Sequence, residues 1–518
     1  MLKKNLRWTE DDFVIENNII KGVKEEARDG KLKDTHIMVV PEGVIGFEAN
    51  CSNYPISELY LPKSLKYIGE DAFFSCSIRY IHGGEMIEEI GGGAFKFNQM
   101  TEVTNFKNLV TIGGEAFSNC HIREFNFGSK LKNIGNEAFK KNHFEKLDFS
   151  KLDGTVIDEK AFSHNIITEI KKSKNLEIAK DAFEYNLLQK EEFKEPIFDE
   201  SWTKDYFIIK KNVIEGITEE GVKKIKETKS LTIPYFKGVK TVSFFPGDFK
   251  LPQELKSVYI EDGITTIDNF TFEASSVEYI RLPKTLRFLG TDVFYGSCLK
   301  YADLSDTSLL KIPTNTFNYC LYLEEVKLPK KLEVIEESAF TDTYSLREIA
   351  LPDSLEFIDI FAFEESGILK VNIGKNSHLE KIEYSAFSGT QLQELDFTKL
   401  IALKVIEKSA FARTNIKDVK INNKNLMIGW EAFVYSGTES LEITSLNIEL
   451  NAFALSNLKN LVIEDVYEIE NRAFYRCDLE NVEIKKLKEV SKIAFDGNNK
   501  IDLSFPEETE FKDEDGGL

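Results

Sequence analysis

Apolar and polar positions recur along most of this chain in a fixed order, once every 20 to 24 residues. The stretch "LPKSLKYIGEDAFFSCSIRYI" (61–81) shows the order, and "LKNIGNEAFKKNHFEKLDF" (131–149) and "LEVIEESAFTDTYSLREIAL" (332–351) repeat it. With the Phe of each Ala-Phe pair as origin, copies fall at Phe73, Phe95, Phe117, Phe139, Phe162 and Phe183. They resume at Phe272 and continue through Phe294, Phe317, Phe340, Phe363, Phe387, Phe411, Phe433, Phe453 and Phe474 to Phe495. An aliphatic residue stands five before every Phe, and Ala stands directly before it in fourteen of seventeen copies. Five, eight and ten residues past the Phe, further apolar residues follow, as in Ile416, Val419 and Ile421. The last two alternate with polar neighbours, which is strand periodicity. Each copy therefore predicts a short strand, a turn, a second extended piece ending at the aliphatic residue, and a tight helical or 3₁₀ turn at Ala-Phe. A period of this length marks a solenoid, because one coil has two open apolar sides that only its neighbours can cover.

Three residues past the Phe the occupant is always small and polar. The first group has Cys76, Asn98, Cys120, Asn142, Asn165 and Asn186, and the second has mostly Ser and Thr with Cys320 and Cys477. A backbone turning inward leaves buried N–H and C=O groups that need partners. A structural ladder of short polar side chains through these residues is expected. That column holds four of the six cysteines, and Cys298 stands one residue beyond it. With no CxxC and spacings of about one coil or more, buried free thiols are expected rather than zinc or disulfides.

A related non-repeat segment precedes each group. "FVIENNIIKGV" (13–23) matches "FIIKKNVIEGI" (207–217), and each reads as a cap opening with a hairpin over the exposed first coil. The coil near Phe47 departs from the consensus, as a terminal copy does. The expected organisation is an N-terminal cap over 1–44, a first array over 45–188, a linker over 189–204, a second cap over 205–254, a second array over 255–505 and a loose acidic tail over 506–518.

Charge narrows the partners. The chain carries 66 Lys and Arg against 87 Asp and Glu, a formal charge of −21, with no basic stripe. Nucleic acid and anionic membranes are therefore poor candidates. No apolar run approaches the length needed to span a bilayer, so no membrane insertion is expected. The lysines of "MLKKNLRWTEDDF" are not followed by an apolar stretch, so no secretory signal is expected there.

The aliphatic, Gly-rich, Ala-Phe, Cys/Asn arrangement of "LPKSLKYIGEDAFFSCSIRYI" resembles the BspA-like, Treponema-type leucine-rich repeat, over about 45–185 and 255–505. The resemblance implies a leucine-rich repeat solenoid of the α/β repeat class, mostly short parallel strands with turns and 3₁₀ segments, here as two capped arrays. It also implies non-enzymatic binding or adhesion at a bacterial surface, with a protein ligand as partner. An intracellular scaffold, and more distantly a hydrolase, are the alternatives from other classes.

Motifs for chemistry are sparse. His121 and His143 share a column four past their Phe, and with no carboxylate beside them exposed turn histidines are the expectation. "GGEMIEEIGGGAF" (83–95) lacks the GK[ST] of a phosphate loop. No catalytic residue, metal or cofactor is expected. For binding, residues seven and nine past the Phe should face outward from the strand. Aromatic and charged residues gather there at the start of each block: Tyr60 and Tyr80, then Tyr259, Tyr279, Arg281, Tyr301 and Asp303. Tyr and Arg dominate binding hot spots, so these are the candidate ligand-binding residues.

Overall fold

The computed structural model describes residues 8–32, 35–103, 105–188, 196, 198–244, 251–498, 501 and 503–513. The chain divides into two compact units, Met1–Phe193 and Lys194–Leu518. Each is a solenoid of stacked coils.

In the first unit a hairpin, Phe13–Glu16 against Ile19–Val23, pairs antiparallel. Its second strand then accepts Gly46–Phe47 in parallel. From there short strands add one per coil, Tyr67–Ile68, Glu89–Ile90, Thr111–Ile112, Asn133–Ile134, Val156–Ile157 and Glu177–Ile178, completing a nine-stranded sheet. The second unit starts the same way. The hairpin Phe207–Lys210 and Val213–Ile217 leads into Thr241–Val242, Thr266–Ile267 and Phe288–Leu289. Between the hairpin and Thr241–Val242 lies an α-helix, Glu219–Thr228, capped by the Thr218 side chain. After Phe288–Leu289 the sheet stops, and a twelve-stranded one begins at Lys311–Ile312. Elsewhere the residue four before the Phe donates its N–H to the preceding coil, as Gly290 does to Ile267 and Glu336 to Ile312. That position in this coil is Pro313, which has no N–H to give.

The Phe side chains form two unbroken stacks. In the first unit neighbouring ring centroids lie 5.5, 5.3, 5.3, 5.1 and 5.5 Å apart and the planes within 15° of parallel. In the second unit the stack runs from Phe272 to Phe495, with a closest step of 4.8 Å between Phe433 and Phe453. The aliphatic residues five before the rings are buried alongside them, with Ile178 in the first unit's last coil only half-buried. The first coil exchanges the two roles. Phe47 occupies the aliphatic position beside Ile68, its ring is 4.6 Å from that of Phe73, and the small Cys51 fills the ring position.

Turns rather than 3₁₀ segments surround the Ala-Phe pair. The residue two past the Phe has positive φ in all seventeen copies, including Tyr319 (62°) and Leu455 (59°). The residue two before it does so in most, including Glu115 and Phe361. These left-handed residues interrupt any helix and turn alternate N–H groups toward the next coil. Phe117 N–H donates to the Ala138 carbonyl at 2.8 Å, and Phe340 to Ala362 at 2.7 Å.

Two off-period segments pack against the second unit. Trp202, within the expected linker over 189–204, is buried against Phe207 in the second unit's core; residues 189–195 and 197 lie outside the described residues. The tail is not loose up to residue 513. Glu510–Lys512 forms a strand beside Leu487–Ser491, Phe511 packs on Phe505, and Lys512 reaches Glu468 (2.6 Å) and Glu489.

Candidate binding surface

The long strand of each coil places alternate residues inward and outward, so in-register pairing turns outward residues into columns. In the first unit Tyr60 stands beside His82. Their rings stack at 4.2 Å and 21°, Tyr60 Oη donates to Glu58 (3.1 Å), and His82 Nε2 lies 3.7 Å from the same carboxylate. Burial, then the Glu58 charge, pushes the Tyr60 phenol above its usual range. Tyr80 stands in the neighbouring column, beside Glu58, and is 44% exposed.

In the second unit one column reads Tyr259, Arg281, Asp303, Lys327 and the other Ser257, Tyr279, Tyr301, Glu325. Arg281 lies over the Tyr259 ring at 5.6 Å. Asp303 accepts from Ser305 and lies 3.5 Å from Lys327. Tyr301 Oη donates to Glu324 at 3.2 Å; burial and that charge push its phenol up to about 12. Tyr279 departs from the expected outward exposure, being only 8% exposed. Phe198 covers it, with its ring 5.9 Å from Tyr279 and 4.9 Å from Tyr259. Phe198 was not legible as part of this surface because it lies off the repeat. His82 was not among the expected residues either, although its place nine past Phe73 in the outward column could have pointed to it.

The column three past the rings faces inward. Asn98 Nδ2 donates to the carbonyls of Phe73 and Phe95, both at 2.8 Å, and its Oδ1 accepts from Ile78 N–H. Asn142, Asn165 and Asn186 make the same bridges to the preceding coil. Cys76 donates to the Cys51 carbonyl, Cys120 to Phe95, Cys320 to Phe294 and Cys477 to Phe453, over 2.8 to 3.2 Å. All six cysteines are free thiols. Burial pushes those of Cys76, Cys120 and Cys320 up to about 12, so these are inert packing groups.

The histidine pair is brought together, at 5.0 Å between ring centroids, but it is not an exposed turn pair. His143 is buried, and burial followed by His121 and Arg123 holds it well below the ordinary imidazole range. Among the described residues no group of three or more His, Cys, Asp or Glu is arranged to hold a metal, and no helix is long and apolar enough to cross a membrane. The Gly-rich stretch serves coil stacking: a Cβ on Gly91 would stand 2.6 Å from Glu70 N.

Thirty solved chains match this one. A leucine-rich repeat protein from Eubacterium ventriosum is 16% identical, with 74% of this chain and 93% of that chain covered and a TM-score of 0.29. A leucine rich cell surface protein from Faecalibacterium prausnitzii is 14% identical, covering 71% and 94% at a TM-score of 0.24. The pneumococcal vaccine antigen PcpA is 18% identical, covering 80% and 91% at 0.24. A comparison with curated proteins finds no match. The profile described as BspA type leucine rich repeat region matches residues 43–108, 88–207, 246–370, 335–449 and 446–513. Those segments take in both stacks of rings and well over half of the sequence, and the chain belongs to the BspA-type leucine-rich repeat family.

Proposed function

We propose that this is a non-enzymatic recognition protein that binds a protein partner at a bacterial surface. The observation that carries the reading is the outward face of the long strands. In-register columns such as Tyr259–Arg281–Asp303–Lys327 hold aromatic and oppositely charged side chains on a backbone fixed by stacking. Such a surface is ordered before a partner arrives, which lowers the entropy lost on association. Tyr80 and Arg281 are the residues of the two clusters most open to a partner, while Tyr60, Tyr259, Tyr279, Tyr301 and Asp303 shape the ground around them. The surface location is supported by the family and by the printed description of the Faecalibacterium protein as a cell surface protein.

Capture of partners by the intact chain, compared with Tyr80→Ala and Arg281→Ala, tests the reading. Each substitution is expected to weaken a captured partner by about tenfold at unchanged melting, the size of a moderate hot spot. Unaltered affinity in both removes these clusters from the interface. An intracellular scaffold is the second reading, favoured by six free thiols. Protease accessibility on intact cells separates the two: shaving the protein from the cell exterior supports the surface role, and full protection supports the scaffold.

A further inference from the structure

The short-strand sheet of the second unit carries a surface of different character. Val334, Phe357, Lys381, Val405 and Met427 stand side by side in register, each next to a buried Ile that points the other way. Phe357 is 37% exposed. Four of these five residues are apolar, and acids line the row on both sides. Glu333, Glu356 and Glu380 precede it on successive coils, and Glu336, Asp359, Glu383 and Glu407 follow it. Lys381 bonds to Glu383 (2.7 Å) and Glu407 (2.9 Å), Lys404 to Glu380 (2.6 Å) and Lys311 to Glu336 (2.7 Å), so the acidic margin rests on Glu333, Glu356 and Asp359, which lie outside these pairs. The surface is thus an apolar row with a negative edge on either side.

Its repeat selects the shape of an occupant. The rings beneath the row stack at 5.1, 4.9, 5.3 and 5.1 Å, and paired strands stand about 4.8 Å apart. An α-helix laid along the row repeats about every 5.4 Å, so it slips by only about 0.6 Å per coil. An extended strand brings the same face back only about every 6.7 Å and falls out of step at once. We propose that this row docks a basic amphipathic helix of a protein partner, its apolar ridge on Val334, Phe357, Val405 and Met427 and its Lys or Arg side chains against the two acidic edges. The net charge of −21 favours the approach of such a segment.

This inference rests on the recognition reading, and its test is separate from partner capture. The probe is a fluorescent peptide of about 18 residues, made of Leu and Lys at helical spacing, long enough to span the row. The control is the same composition rearranged to alternate Leu and Lys. With the intact protein, the helical peptide is expected to bind about tenfold more tightly than the alternating one. Phe357→Ser and Glu356→Lys are each expected to weaken it about fivefold or more, and Glu124→Lys, an equal charge change in the first unit, less than about twofold. Equal binding of the two peptides, or equal losses from Glu356→Lys and Glu124→Lys, reduces the effect to general charge attraction and overturns the proposal. Absence of peptide binding while natural partners are still captured overturns this inference alone. Absence of captured partners alongside specific peptide binding overturns the recognition reading alone.

Discussion

The two units close the same coil by different means. In the first, the residue four before the ring is Gly69, Gly91, Gly113 and Gly135 in successive coils. A Cβ on Gly113 would stand 2.5 Å from the backbone N of Gly92, so the coils are pressed together where no side chain fits. In the second unit the same column is mostly acidic. There the Glu449 carboxylate accepts from Trp430 N–H and Glu470 from Leu450 N–H, both at 3.1 Å. Backbone contact in one unit is replaced by a carboxylate clamp in the other. The inner ladder differs as well. The first unit's Asn side chains tie each coil to the one before. In the second, Thr343, Thr390 and Thr414 donate within their own coil, to Phe340, Phe387 and Phe411, and the Ser275 and Ser366 hydroxyls find no partner. Solenoid stability is a sum of coil and interface contributions. More of it lies in the interface at the Asn positions than at the Thr positions, and the Asn-laddered coils are expected to unfold the more cooperatively.

The ring stack is common to both units and sets the baseline. Phe117→Ala and Phe411→Ala are each expected to cost roughly 3–5 kcal/mol, read by hydrogen exchange within the affected unit; a large difference between the two would break the assumption of equal cores. Gly113→Ala is expected to cost about 3 kcal/mol by overpacking, whereas Glu383→Ala in the equivalent column costs less than about 1 kcal/mol. Next, Asn142→Ala leaves Ile122 N–H and the Phe117 carbonyl without this partner, at about 2 kcal/mol, against about 1 kcal/mol for Thr414→Ala. Similar losses from those two substitutions would remove the distinction between ladders.

The smallest effect is a pH dependence of opposite sign at two places in the second unit. Burial, together with Glu470 beside Glu449 and Glu468 beside Glu470, raises both carboxyls above 4.5. The folded state therefore holds protons that the unfolded chain releases. The resulting stabilisation is complete below about 4.5 and is lost as pH rises through the raised values. Asp199 does the reverse. Hydrogen bonds from Ser201, and then Lys224, lower it from 3.8 to about 2, so its contribution is present above 3.8 and lost as pH falls toward 2. Glu449→Gln should flatten the first dependence, and Asp199→Asn the second, in melting curves followed across pH.

Periodicity made the stacking legible. A ring every 20 to 24 residues, an aliphatic five before it and a short polar group three after it could be read without coordinates, because identical coils need identical core residues. What lay off the period was not legible. Phe198, Trp202 and the strand Glu510–Lys512 belong to no repeat, and their packing depends on where a non-repeating chain returns. The left-handed positions were hidden for another reason. At two past the ring, Gly occurs only at Gly296, Gly389 and Gly497, while Tyr, Leu, Arg, Lys and Glu hold the same backbone elsewhere. The cost of that conformation, on the order of 1 kcal/mol per residue, is offset by the N–H each delivers to the next coil. Exposure was misjudged at Tyr279 because the off-period Phe198 covers it, and at His143 because its ring turns in beside His121 and is buried.

Each coil hands the same N–H groups to the next, at the same places, from the hairpins onward. Length is therefore adjusted most simply in whole coils. Removing one complete period rejoins two faces that already fit, while the spread of 20 to 24 residues per step shows that a coil also absorbs a few residues between its bonded turns. A chain built this way can grow or shorten its reach by unequal exchange between its own copies and keep its caps intact.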